Sequence, residues 1–107
     1  MIVYGLKNCD TCRKAVKALG ADLHDVRETP VTRDQLGSWY AAFGAALVNT
    51  RSTTWRGLDE AARASADTSE GAVALLLAHP TLIKRPVIEK AGAVHLGWTR
   101  AVQDALS

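Results

Sequence analysis

Ile2-Val3-Tyr4-Gly5-Leu6-Lys7-Asn8-Cys9-Asp10-Thr11-Cys12-Arg13-Lys14-Ala15-Val16-Lys17-Ala18-Leu19-Gly20 is the stretch that decides the fold. Ile2-Val3-Tyr4 is a short apolar run closed by Gly5, the pattern of a buried strand. Lys7 to Thr11 is polar and turn-prone. Cys12, Ala15, Val16 and Leu19 then recur at i, i+3, i+4 and i+7, the stripe of an amphipathic helix. Gly20 is placed to end that helix as its C′ residue. Leu23 and Val26 belong to a second strand predicted over residues 21–26, before Pro30 breaks the chain. Strand, helix and strand in this order form a parallel pair with a right-handed crossover.

Downstream, Thr32-Arg33-Asp34-Gln35 has the form of a capping box, with Thr32 as N-cap and Gln35 reaching back. The helix it opens is expected to bury Leu36, Trp39, Tyr40 and Phe43 and to stop at Gly44. Residues 49–56, polar and carrying Arg51 and Arg56, read as a loop. Residues 58–66 are Ala-rich and helical in pattern, and Asp67-Thr68-Ser69-Glu70 offers a fresh N-cap. A helix over residues 69–79 then buries Val73, Leu76 and Leu77, and Pro80 terminates it. Val87-Ile88-Glu89 and residues 93–96 flank Gly92, a hairpin signal. A last helix presents Trp98, Ala101, Val102 and Ala105 on one face. The order β-α-β-α, a helical segment, then β-β-α predicts an α/β protein. Its mixed four-stranded sheet is flanked by helices in a thioredoxin-like arrangement, with a helical insertion over about residues 58–79. The whole of 1–107 forms one domain.

The totals agree with that class. The 107 residues are 48% hydrophobic and 22% charged, an ordinary globular balance without a disorder signature. A net charge of +2 is too weak to argue for direct nucleic-acid contact. No charged leader precedes a long apolar run, and no stretch approaches the ~18 apolar residues that span a bilayer. Neither a secretory signal nor membrane attachment is therefore expected. Two cysteines three positions apart make a poor disulfide framework, and they read better as redox groups in a reducing, cytoplasmic compartment.

Cys9 falls where the first strand gives way to the first helix. Unpaired N–H groups and the helix dipole favour a thiolate there, and Lys7 and Arg13 are expected to add positive charge. Cys12, one turn on, is near enough to resolve a mixed disulfide on Cys9, or else is simply a small buried side chain on the apolar stripe. A zinc site completed by His24, His79 or His95 is a third alternative, with a single CxxC as its only signal. Arg51 and Arg85 suit an oxyanion, which a planar guanidinium grips through paired hydrogen bonds. Arg85 precedes Pro86, and an X-Pro bond there is a candidate for the cis form. Against this, both arginines also read as solvated surface residues and Pro86 as an ordinary start to a strand.

Residues 4–15, residues 28–36, Asn49-Thr50-Arg51 and His79-Pro80-Thr81-Leu82-Ile83-Lys84-Arg85-Pro86 together resemble the glutaredoxin-coupled arsenate reductase (ArsC) family. Within it, residues 49–57 and Leu96-Gly97-Trp98 look most like the ArsC/Spx/YffB-type branch. The resemblance spans essentially the whole chain and implies a thioredoxin-like fold with a helical insertion. It implies that Cys9 is the nucleophile, that Arg51 and Arg85, with Arg13 nearby, hold an oxyanion, and that Pro86 lies beside the active site. No bound cofactor or metal is implied. Glutathione is the implied co-substrate and glutaredoxin the implied reductant, acting on a small oxyanion or a mixed-disulfide substrate. Three positions depart from the arsenate reductases. Gly5 stands where they carry a histidine, Gly97 and Trp98 where they carry a third arginine, and Cys12 where they carry a serine. The lost cationic groups imply weaker arsenate turnover, and the added thiol implies internal disulfide chemistry. The likeness to Spx implies an alternative, a redox-switched transcriptional adaptor that binds RNA polymerase and uses the cysteine pair to sense.

Overall fold

The structure, a computed structural model, describes residues 1–106; Ser107, the last residue of the domain expected over 1–107, lies outside them. Among the described residues the elements run β1 (Ile2–Gly5), α1 (Asp10–Leu19), β2 (Asp22–Asp25), α2 (Arg33–Phe43), α3 (Thr53–Arg56), α4 (Glu60–Ala64), α5 (Ser69–Ala78), β3 (Val87–Lys90), β4 (Ala93–Leu96) and α6 (Arg100–Leu106). They gather into two compact units, one made of Met1–Thr29 with the segment from Arg85 onward, the other of Pro30–Lys84.

The first unit holds a four-stranded sheet in the order β2-β1-β3-β4. β1 and β2 run parallel, Val3 opposite Leu23, while β3 is antiparallel to both β1 and β4. This is the mixed, thioredoxin-like α/β sheet that the element order predicts. Val3 and Ile88 are cross-strand partners, and both are completely buried with Ala15 of α1 and Leu106 of α6. Val16, Leu19, Leu23, Trp98 and Val102 pack around them, so α1 and α6 cover the same face of the sheet. Burying each large aliphatic side chain contributes about 1.5–3 kcal/mol. That anchors the start of α1, and with it Cys9, to the central strand.

The local signals hold at most element ends. Gly20 ends α1 in the left-handed region, φ 59°, its N–H bonded to the Val16 carbonyl. The Ala21 N–H takes the same carbonyl, and β2 starts at Asp22 rather than Ala21. The turn between β3 and β4 has both central residues at positive φ, Ala91 at 52° and Gly92 at 82°, the form that matches the twist of a two-residue hairpin. In α6 the inward face differs from the expectation. Ala101 and Ala105 are exposed, and Trp98, Val102 and Leu106 turn to the core. The Thr99 hydroxyl, which accepts the Val102 N–H at 3.2 Å, sets that phase.

The second unit is built of helices and turns, with one isolated antiparallel bridge between Val48 and Ile83. The capping box is formed at both halves: the Gln35 N–H donates to Thr32 Oγ1, and the Thr32 N–H donates to the Gln35 side chain. α2 packs against α5. In α2, Leu36 and Trp39 are buried, while Tyr40 and Phe43 are only half-buried. In α5 the buried set is Ala72, Val73, Leu75 and Leu76, and Leu77 is half-buried. The stretch 49–56 departs from a plain loop: Ser52 caps a single turn of helix, α3, by accepting the Trp55 N–H at 3.1 Å. The helix expected over 58–66 is shorter, α4 being opened by Asp59 and followed by a tight turn over Ser65–Asp67. Thr68 then caps α5. No helix among the described residues is long and apolar enough to cross a membrane.

Candidate active site

The turn from β1 into α1 is fixed by backbone and side-chain hydrogen bonds before its sulfur is considered. The Cys9 N–H donates to the Leu6 carbonyl at 3.0 Å, and the Cys9 carbonyl accepts the first helical bond from Arg13 at 3.0 Å. Cys9 is the N-cap residue of α1, extended at φ −93° and ψ 119°. The turn is also tied to β2 by Asp25. This buried carboxylate accepts the Lys7 N–H at 2.9 Å, the Arg27 N–H at 2.8 Å and the Glu28 N–H at 3.1 Å. Burial opposes its charge, but these three N–H groups and the Arg27 guanidinium outweigh burial and hold its pKa below the ordinary 3.8.

Cys9 is half-buried and Cys12 fully buried, and both are free thiols. Burial is the largest influence on Cys9 and disfavours its thiolate. It is overcome by the Cys12 N–H, the Cys12 thiol, the Arg85 guanidinium and the Thr11 N–H, and the pKa falls below the ordinary 9.0. The sulfur makes no short capping bond; the N–H groups of the first turn act on it as the positive end of the helix. Cys12 moves the opposite way. Burial above all, then donation to Cys9 and the Cys9 charge, push it up to about 11, against the Leu6 backbone and Arg85. The two thiols are thus divided, the outer one ionising readily and the inner one remaining its hydrogen-bond donor.

Of the other residues singled out in the sequence, Arg85 and Pro86 share this unit with the cysteines. Arg85 is half-buried and is the cation that acts on both sulfurs. Its bond to the fully buried Pro86 is cis, and the Pro86 carbonyl accepts the Gly97 N–H at 2.8 Å. Lys7 and Arg13, expected to add positive charge near Cys9, are each paired with a carboxylate: Lys7 with Glu28 and Arg13 with Asp10, all exposed, and the cation among the largest influences on Cys9 is Arg85. Arg51 belongs to the second unit, exposed in the turn before α3, its N–H bonded to Asn49 Oδ1 at 3.1 Å. Among the described residues no three His, Cys, Asp or Glu side chains gather as a metal site.

Two residues escaped the sequence reading as parts of this site. Asp25 ends β2, and only its three N–H donors reveal its role. Gly5 lies within an apolar strand, where a glycine signals close approach of another group. The group is Cys12: a Cβ built on Gly5 would stand 2.3 Å from the Cys12 sulfur.

A sheet in the order β2-β1-β3-β4, with a cysteine at the first strand-to-helix turn, defines a thioredoxin-like α/β protein. The chain belongs to the ArsC family, whose model it matches over residues 4–105. It is 44% identical over 102 residues to an uncharacterised protein of Haemophilus influenzae, a match covering 90% of this chain and 89% of that one. Among solved structures it is similar to a YFFB protein (PA3664), with a TM-score of 0.87 and 37% identity over 98% of this chain and 96% of the other. An arsenate reductase (ArsC) related protein from Brucella melitensis aligns with a TM-score of 0.72 and 32% identity, covering 97% and 91% of the two chains.

Proposed function

We propose that this protein is a thiol oxidoreductase that uses Cys9 as nucleophile on a glutathione mixed disulfide. The observation that carries this is the division of the cysteine pair, with Cys9 lowered below 9.0 by helix N–H groups and Arg85 while Cys12 is raised to about 11. At neutral pH a lowered pKa increases the fraction of the attacking species, and a helix N-terminus is a recurring setting for reactive cysteines. The Cys9 thiolate attacks a sulfur of the substrate disulfide, forming a Cys9–glutathione disulfide and releasing the substrate as a thiolate. Arg85 neutralises the charge moving between the sulfurs. A second thiol then displaces glutathione from Cys9 and regenerates its thiolate, so the two electrons come from the thiol reductant, glutathione itself or a glutaredoxin.

The family likeness also supports arsenate as a substrate, through attack of Cys9 on the oxyanion with Arg85 holding an oxygen. Arg13 is engaged by Asp10, and position 5 carries glycine, with no cationic side chain to add. A charge-assisted hydrogen bond is worth about 1.5–3 kcal/mol, or one to two decades in rate or affinity. Fewer such bonds favour the disulfide substrate over the oxyanion. The reading takes 1–107 as one functional domain working in a reducing, cytoplasmic setting. Turnover of a glutathione-capped peptide and of arsenate by the native chain and by Cys9→Ser tests it. The native chain is expected to reduce the capped peptide and Cys9→Ser to lose at least a hundredfold; equal turnover by the two would refute the assignment.

A further inference from the structure

Gly5 closes β1 directly beneath the first turn of α1, and its φ is not in the left-handed region, so no backbone requirement explains a glycine there. What it leaves open is space. A Cβ at position 5 would come within 2.3 Å of the Cys12 sulfur and 3.2 Å of the Cys12 Cβ. The first distance is far inside van der Waals contact. A buried sulfur, 0% exposed, therefore fills the volume that any other residue at position 5 would occupy. The sulfur in that space belongs to the thiol that donates to Cys9.

We propose that Gly5 is the positioning residue of the cysteine pair: the side chain it lacks is the seat that aims the Cys12 sulfur at Cys9, making Cys12 the group that resolves a mixed disulfide on Cys9. The proposal rests on Cys9 as the nucleophile. In the step it governs, Cys12 attacks the Cys9 sulfur of a Cys9–glutathione disulfide. A Cys9–Cys12 bond forms as the Cys9–glutathione bond breaks, and the Cys12 proton leaves with the departing glutathione. Two thiols and one glutathione disulfide thus become one internal disulfide and two molecules of glutathione. Reduction back to the dithiol takes two electrons from an excess of the same small thiol.

With alanine at position 5 the Cys12 side chain has a soft way out, because its sulfur is the end of a single rotatable bond. Rotation about that bond moves the sulfur out of line with Cys9, and the closer Cβ contact needs a shift of only a few tenths of an ångström.

The test treats the reduced chain with glutathione disulfide and follows, by intact mass and peptide mapping, the glutathione adduct on Cys9 and the internal disulfide that replaces it. The native chain passes quickly to the internal disulfide. In Gly5→Ala the adduct persists, conversion slows at least tenfold, and the Cys9–Cys12 pair becomes easier to reduce in a glutathione redox buffer. In Cys12→Ser the adduct accumulates without conversion. Conversion at the native rate and potential in Gly5→Ala would overturn the proposal while leaving Cys9 as nucleophile. Failure of the native Cys9 to take glutathione would overturn both. Should Gly5→Ala not fold, Gly5→Ala/Cys12→Ala decides: recovered folding supports the seat, whereas a second failure ties Gly5 to the strand alone and overturns the proposal.

Discussion

At the scale of single residues, the site depends on where a few charges and N–H groups fall. Arg85 is the cation that lowers Cys9, whereas the nearer residues in sequence, Lys7 and Arg13, are held by carboxylates at the surface. Arg85→Gln is therefore expected to raise the Cys9 pKa and slow its alkylation at pH 7 several-fold, with Arg13→Gln nearly silent; iodoacetamide kinetics on both variants checks this. Asp25 makes its contribution by holding the turn that carries Cys9. Asp25→Asn places an amide N–H against a backbone N–H, and an unsatisfied buried donor costs about 1–3 kcal/mol. Because the folded-state pKa lies below 3.8, that stabilisation is present in full above 3.8 and is lost as the pH falls through the folded value. Urea titrations at falling pH should show the native chain and Asp25→Asn converging in stability below pH 3.8 and separating above it.

Elements are set by caps and close approaches more than by propensity. The reciprocal bonds between Thr32 and Gln35 open α2, and Thr32→Ala is expected to cost about 1 kcal/mol in a denaturant titration. In the first turn of α5 the chain passes so near the Ser65 carbonyl that a Cβ on Gly71 would stand 1.9 Å from its oxygen. Backbone cannot swing aside as the Cys12 sulfur can. Gly71→Ala is thus expected to destabilise the protein by about 1–3 kcal/mol despite the better helix propensity of alanine, as thermal unfolding would show.

Across the whole molecule, what was legible in the sequence is what local chemistry determines alone. The strand–turn–helix of residues 2–20, the capping box and the Gly92 hairpin were readable because each carries its own stop and start signals. The faces of α5 and α6 were not: α5 is apolar nearly all round, so no period distinguishes Leu75 from Leu77, and alanines at 101 and 105 suit either side. The single turn α3 has no apolar period at all, only the Ser52 cap. In the candidate site, Cys9 and Cys12 are legible from their spacing and Arg85 and Pro86 from the resemblance to the family, whereas Asp25 and the seat at Gly5 exist only once β1, β2 and α1 are brought together. That assembly rests on the layer around Val3 and Ile88; Ile88→Ala is expected to lose about 2–5 kcal/mol, measured by urea unfolding. The opening attack by Cys9, on which the rest of the proposed chemistry builds, depends on an outer thiol that ionises while its inner neighbour stays protonated. The direct measurement is the pH dependence of alkylation at each cysteine, resolved by peptide mass. Cys9 should titrate below 9.0, with Cys12 inert until about pH 11. Titration of Cys9 at or above 9.0, or Cys12 reacting first, would contradict the account.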